Sequence, residues 1–131
     1  MAKIFVSTFP FCRTNQKALE ILESSGHSVT INPLGRKMKP IEVAEQACDF
    51  DALIAGTEDL QELVSRSSKI KLISRVGVGL DSVPLELCKQ KGITVAYTPD
   101  AVSPAVSELA IGLIIDCMRK VSYADREIRK G

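Results

Sequence analysis

The sequence predicts an α/β fold, in which a five-stranded parallel sheet carries helices on both faces and is followed by a long C-terminal helix. Short apolar segments alternate with amphipathic segments along the chain, as in a series of βα units. Each parallel connection needs a crossover long enough to form a helix, and these segments are long enough. The 131 residues, of which 45% are hydrophobic and 25% charged, suit one domain with one core.

Five short segments rich in aliphatic and β-branched residues predict the strands. Ala52–Ala55 and Leu72–Ile73 are nearly all apolar, as expected of central strands that are buried on both faces. The predicted strands are Lys3–Ser7, Ser28–Asn32, Ala52–Gly56, Lys71–Arg75 and Ile93–Tyr97.

Apolar side chains at steps of three and four predict a helix after each strand. In the first helix Ala18, Leu19 and Leu22 are expected to face inward, and Gly26 ends it. Prolines open three of the other helices, because a first helical turn tolerates them. The predicted helices are Thr14–Ser25, Pro40–Cys48, Glu58–Ser65, Pro84–Lys91 and Pro104–Arg129.

The sheet is expected to have the flavodoxin-like strand order 2-1-3-4-5. In such sheets ligands bind beyond the carboxyl ends of the strands, so the loops at that edge are the candidates for a site. These loops are Ser7–Arg13, Gly56–Glu58, Val76–Ser82 and Thr98–Ser103.

Charge and hydropathy exclude several classes of function. The net charge of +1 and the lack of a long basic cluster argue against nucleic acid or an anionic membrane as partner. The most apolar stretch, Leu109–Cys117, contains Asp116 and is too short to span a bilayer, so we expect a soluble cytoplasmic protein. The four scattered cysteines and the single His27 cannot assemble a zinc site, so no metal is expected.

A glycine-rich turn follows the fourth strand, with the sequence Val76-Gly77-Val78-Gly79. Two glycines one residue apart allow a tight turn that points backbone N–H groups outward, where they can hold a carboxylate or phosphate. A dinucleotide fingerprint would need a third glycine at Ser82 and a place after the first strand, so we reject a nucleotide site here. A turn without any ligand is the alternative that spacing alone leaves open.

Four blocks of sequence, in order and at matching spacing, resemble the N-terminal part of the D-isomer-specific 2-hydroxyacid dehydrogenases, in the branch similar to phosphoglycerate dehydrogenase. The blocks are Asp51–Glu58, Leu72–Asp81, Gly92–Val95 and Thr98–Leu113. The resemblance implies a substrate domain over residues 1–103 and an inter-domain and dimerisation helix over 104–131. It also implies that the family's nucleotide-binding domain is absent and that the chain is truncated.

The activity that the resemblance implies is hydride transfer between a small D-2-hydroxyacid, or its 2-keto acid, and NAD. The N–H groups of Val78 and Gly79 would hold the substrate carboxylate, and Val106 would touch the nicotinamide side of the cofactor. The implied substrate-binding residues are Val76, Gly77, Val78, Gly79 and Thr57.

The chain also departs from the family pattern. Val102 stands where the family often has a substrate-binding asparagine, and Gly56–Glu58 lacks the arginines that bind phosphate in some phosphoglycerate enzymes. Catalytic residues are expected downstream of Gly131, since His27 lies at the wrong end of the sheet to act as acid or base. We therefore expect the isolated chain to be inactive.

The apolar surface of the predicted C-terminal helix indicates how copies of the chain associate. Pro104–Arg129 is apolar nearly all round over its first part, which predicts a homodimer through that segment. The alternative to a dehydrogenase part is a non-enzymatic module that binds a small carboxylate or serves in oligomerisation.

Overall fold

Five parallel strands form one sheet in the computed structural model, which describes residues Met1–Gly131. The observed order β2-β1-β3-β4-β5 confirms the predicted flavodoxin-like topology. The apolar third strand is central, and its Leu53 and Ala55 are completely buried. The strands are β1 Lys3–Val6, β2 Ser28–Ile31, β3 Ala52–Ala55, β4 Leu72–Arg75 and β5 Thr94–Tyr97.

Two of the helices that connect these strands begin three residues later than the sequence pattern predicts. Asn15 and Asp59 each accept a hydrogen bond from the backbone N–H two residues on, at Lys17 and Gln61, both at 2.8 Å. Such local bonds hold the chain in a turn and delay the helix. The connecting helices are α1 Lys17–Ser24, α2 Pro40–Ala47, α3 Gln61–Arg66 and α4 Leu85–Gln90.

The two faces of the sheet are covered unequally. The core cluster contains side chains of α2, α3 and α4 together with Phe5, Leu53 and Ile73 of the sheet, but none of α1. Right-handed crossovers place α1 on the opposite face. The prediction that Ala18 faces inward is wrong, and Leu19 is only half-buried, because α1 packs on the edge strand β2, which offers little apolar surface.

The C-terminal segment contains two helices, α5 Ser103–Arg119 and α6 Val121–Ile128, instead of one continuous helix to Arg129. The interruption lies at Lys120, which has a left-handed backbone conformation with φ of +54°. The Asp116 carboxylate accepts hydrogen bonds from the Ser122 N–H at 2.6 Å and from the Ser122 hydroxyl at 2.7 Å. The first of these bonds satisfies an N–H group in the first turn of α6 that has no partner within the helix.

The chain divides into two units, Met1–Thr98 and Pro99–Gly131. The first contains the whole sheet and its core, and the second contains α5 and α6. Neither α5 nor α6 has a buried residue. No helix in the chain combines the length and the apolar character needed to cross a membrane.

Candidate functional site

The turn that follows β4 is fastened to the strands on either side of it. The Val76 N–H donates to the Ala55 carbonyl at 2.9 Å, which continues the pairing with β3. The Gly77 N–H donates to the Thr98 hydroxyl oxygen at 2.9 Å, and the Gly77 carbonyl accepts from the Thr98 N–H at 3.1 Å. The start of the turn is therefore held between β3 and the end of β5.

The next two amides in the turn are not used by the fold. The N–H groups of Val78 and Gly79 donate no hydrogen bond within the chain, and Val78 is 50% exposed. Adjacent backbone donors that converge on one point form a concave site for an anion. Hydrogen bonds from such donors to an ionised oxygen are stronger than bonds between neutral groups. The two unused donors are therefore available to an anion such as a carboxylate.

Gly77 is required by both conformation and space. Its φ of +141° is one that L side chains rarely adopt, and an added Cβ would lie 2.5 Å from Nη1 of Arg75. Gly79 is less constrained, since a Cβ there would meet only Asp81 Oδ2 at 3.3 Å. The first glycine thus shapes the turn, and the second carries one of the two unused N–H groups.

Arg75, the last residue of β4, is a charged group that the sequence analysis did not assign to the site. It is 8% exposed, one guanidinium nitrogen donates to the Val76 carbonyl, and the buried Nε has no hydrogen-bond partner. A buried cation packed against the Gly77 backbone favours binding of a negative charge nearby. The signal in the sequence was a charged residue at the carboxyl end of a strand that was predicted to be central and buried.

The loop after β3 lies beside this turn, because Ala55 and Arg75 are register partners in neighbouring strands. Its middle residue, Thr57, is exposed between two buried residues, and its carbonyl accepts a hydrogen bond from the Lys37 ammonium at 3.3 Å. Glu58, which was predicted to start a helix, instead lies in this loop with its carboxylate buried.

The structure brings Thr57 and Val76–Gly79 to the same edge of the sheet. It does not bring His27 there, because His27 directly precedes β2 and so lies at the amino ends of the strands. Val106 belongs to the second unit, on α5, where its side chain is 59% exposed. No three histidine, cysteine, aspartate or glutamate side chains are grouped to hold a metal ion.

A comparison against protein families agrees with the fold and the site described above. The family described as D-isomer specific 2-hydroxyacid dehydrogenase, catalytic domain, matches residues 5–130. The chain belongs to this family. The match begins within β1 and includes β2 to β5, both edge loops described above, and α5 and α6.

Individual relatives agree with this assignment. The chain is 33% identical over 133 residues to D-3-phosphoglycerate dehydrogenase of Methanocaldococcus jannaschii, with 100% of this chain and 24% of that protein covered. It is 34% identical over 85 residues to hydroxypyruvate reductase of Thermotoga maritima, with 63% of this chain and 28% of that protein covered. The chain spans about a quarter of the length of these relatives.

A solved structure has the same fold. The NAD+-bound 3-phosphoglycerate dehydrogenase of Entamoeba histolytica is 35% identical, with a TM-score of 0.77, and the match covers 88% of this chain and 38% of that one. The loop after β1 in the present chain, Thr8–Arg13, contains no glycine. The first βα turn therefore does not fit a dinucleotide pyrophosphate, which usually lies on a glycine-rich turn at that position.

Proposed function

We propose that this chain is the substrate-binding part of an NAD-dependent D-2-hydroxyacid dehydrogenase of the phosphoglycerate dehydrogenase type. In the whole protein the substrate would lose a hydride from C2 and a proton from its hydroxyl group, giving the 2-keto acid. NAD, when bound, supplies the hydride acceptor. The single observation that carries the proposal is the pair of unused amides at Val78 and Gly79, in a turn whose preceding amides are fastened to neighbouring strands.

In this proposal each residue of the edge has one role. The amides of Val78 and Gly79 donate to the substrate carboxylate, while Val76 and Gly77 set the shape of the turn. Arg75 supplies positive charge beside it, and Thr57 borders the same space from the β3 loop. Val106 would lie toward the nicotinamide, an assignment that rests on the family resemblance.

The test of carboxylate binding is a titration of the ¹⁵N-labelled full chain with D-glycerate, followed by amide chemical shifts. We expect saturable shifts of the Val78 and Gly79 amides, because they would enter hydrogen bonds with the carboxylate. Glycerol, which lacks the carboxylate, is the matched control ligand and should leave both resonances in place. A response to glycerol equal to that to D-glycerate would contradict the proposed site.

A second arm of the same titration uses 3-phospho-D-glycerate to probe the substrate class. The β3 loop contains no arginine, but the Lys37 ammonium lies 3.3 Å from the Thr57 carbonyl oxygen. Tighter binding of the phosphorylated acid, which is lost in Lys37→Met, would assign the distal anionic group to Lys37. Equal binding of the two acids would restrict recognition to the carboxylate.

We also propose that the isolated chain does not turn over substrate. Its only histidine is at the opposite edge of the sheet, and the first βα turn does not fit a dinucleotide. An assay of NADH oxidation at 340 nm with hydroxypyruvate checks this. Appreciable turnover by the pure chain would refute the proposal.

The second unit supports a proposal about assembly. Large apolar side chains of α5 and α6 are more than half exposed, and a surface of this kind drives association. We propose a homodimer through Pro104–Arg129, checked by light scattering at tens of micromolar protein, where a clean monomer would count against it. The exposed side chains are Val106, Leu109, Ile111, Leu113, Ile114, Ile115, Met118, Val121, Tyr123 and Ile128.

A cytoplasmic location of the protein stays a prediction.

The same apolar surface favours the second candidate, a non-enzymatic module for carboxylate binding or oligomerisation. The two candidates differ in what a larger polypeptide contains. Addition of a separately expressed nucleotide-binding domain from a relative should restore NAD-dependent oxidation of D-glycerate only if the dehydrogenase proposal is correct. Carboxylate binding without any such restoration would favour the module.

A further inference from the structure

Glu58 is a buried carboxylate without a cationic partner. Its side chain lies in a residue that is 3% exposed, yet it takes part in no salt bridge. The carboxylate Oε1 instead accepts hydrogen bonds from the Gly56 N–H at 2.9 Å and from the Ser7 hydroxyl. Burial of an acid that has only neutral donors costs stability, which indicates a role for Glu58 other than stabilising the fold.

Both donors directly follow strands at the carboxyl edge of the sheet, Ser7 after β1 and Gly56 after β3. The Ser7 N–H donates to the Ile54 carbonyl at 3.0 Å, and the Ser7 carbonyl accepts from the Asn32 side-chain amide at 3.2 Å. Ser7 is thereby tied to β3 on one side and to the end of β2 on the other. The carboxylate of Glu58 is consequently anchored to the sheet itself, although the residue lies in a loop.

The loop packs tightly around this carboxylate. A Cβ at Gly56 would lie 2.7 Å from Glu58 Oε2 and 3.0 Å from the Thr8 hydroxyl oxygen, so a side chain there would displace the Glu58 carboxylate. The hydrogen bond between the Gly56 N–H and the Glu58 carboxylate closes the loop across Thr57. Thr57 is therefore held outward at the tip, between two buried residues.

The same loop is joined at both of its ends to the loop Val76–Ser82, which begins with the glycine turn. Before the tip, the Ala55 carbonyl accepts from the Val76 N–H at 2.9 Å. After the tip, the Leu60 N–H donates to the Ser82 carbonyl, also at 2.9 Å. A change in the path of the β3 loop would therefore be transmitted to the segment that contains the amides of Val78 and Gly79.

We propose that Glu58 is a positioning residue for the substrate site, which sets the β3 loop and Thr57 against the donors of the glycine turn. It acts through Thr57 and the turn and does not itself touch the substrate. The inference rests on the function proposed above, in which those donors bind a 2-hydroxyacid carboxylate.

The experiment measures D-glycerate affinity of full-length variants by amide shifts, at a temperature where each variant is folded. Glu58→Ala should weaken binding about tenfold, because the β3 loop loses the two hydrogen bonds that fix its path beside the glycine turn. Glu58→Gln should recover most of the affinity, because its Oε1 can accept from the same two donors. Glu62→Ala, which removes a partly exposed acid from the neighbouring helix α3, is the matched control and should bind as the wild type does.

A double-mutant cycle with Ser7→Ala tests whether the two partners act as a unit. Ser7→Ala should weaken binding several-fold, and the double variant should bind no more weakly than Glu58→Ala, since both remove the same link. Additive losses would overturn the proposed link. Ser7→Ala and Glu58→Gln also keep the test decisive if Glu58→Ala does not fold.

The outcomes separate this inference from the function on which it rests. If the wild type binds D-glycerate and Glu58→Ala binds it equally well while melting at a lower temperature, Glu58 is merely structural and the inference is overturned. If the wild type itself does not bind D-glycerate, the proposed carboxylate site is overturned and the positioning role fails with it.

Discussion

The sheet unit, Met1–Thr98, buries its apolar side chains, whereas the helical unit, Pro99–Gly131, leaves its own exposed. Phe5, Leu53 and Ile73 lie completely or almost completely inside the first unit. In the second unit, Leu113 of α5 is 55% exposed, although α5 is more apolar than α6. Helical hydrogen bonds are local and need no neighbour, but burial does. An apolar sequence therefore predicts a helix without predicting what covers it.

The sharpest test of this contrast substitutes the same residue type in each unit. Leu53→Ala should destabilise the protein by about 2–5 kcal/mol, because it removes core contacts and leaves a cavity. Leu113→Ala should change stability by less than about 0.5 kcal/mol, because the side chain is already exposed. Urea denaturation followed by circular dichroism measures both. Equal losses would mean that α5 is buried as deeply as the sheet.

A second pair compares glycine with alanine in the two units. Gly77→Ala should cost about 1–3 kcal/mol and abolish the carboxylate shifts, because of the positive φ and the collision with Arg75. Gly112→Ala, within α5 with nothing within 4 Å of the new Cβ, should instead stabilise the helix by about 0.5–1 kcal/mol. Thermal melting of the two variants checks the opposite signs. A harmless Gly77→Ala would show that the turn does not need its observed conformation.

A smaller effect is expected at the end of the sheet opposite the candidate site. The Lys91 ammonium donates to the carbonyls of Val64 at 2.6 Å, Ser65 at 2.7 Å and Ser67 at 3.2 Å, and so satisfies the last turn of α3. Lys91→Met should cost about 1 kcal/mol without changing D-glycerate affinity. Lys89→Met, on the exposed surface of α4, is the control and should change neither quantity. A loss of affinity in Lys91→Met would show that the two ends of the sheet are coupled.

The smallest effect concerns pH. The Arg36 guanidinium, and after it the Lys39 N–H, bind the Glu42 carboxylate and lower its pKa from 4.5 to about 2. Because the folded pKa lies below the unfolded one, this stabilisation is complete above about pH 4.5 and is lost as the pH falls toward 2. Glu42→Gln should therefore flatten the pH dependence of the urea midpoint in that interval. An unchanged slope would contradict the assignment to Glu42.

The parts of the fold that could be predicted are those with a local signal. The five strands were found to within one residue at each end, because alternation of apolar and amphipathic segments follows the backbone repeat. The starts of α1 and α3 were missed, since the side chains of Asn15 and Asp59 hold turns there that compete with the helix. The break at Lys120 was missed because it depends on the Asp116 carboxylate, six residues before Ser122.

The residues of the candidate site likewise fall into those that the sequence indicated and those that it did not. Gly77 and Gly79 were visible in the sequence, because a missing Cβ is a property of the residue itself. Arg75 and Glu58 were not assigned to the site, because charged residues are usually exposed, and only Arg75 carried a signal of burial, its position at the end of a central strand. Each lies directly next to a predicted site residue, Arg75 beside Val76 and Glu58 beside Thr57.

By itself the sequence determined the alternation of strands and helices and the position of a tight turn after the fourth strand, which follow from residue periodicity and from glycine. The strand order was an expectation from the fold class, and the structure confirms it. Only the tertiary structure decided which amides of that turn remain unused and which charged groups are buried beside it. The physical reason is that both depend on partners distant in the chain, as with Ser7 and Glu58, which are 51 positions apart, or Gly77 and Thr98, which are 21 apart.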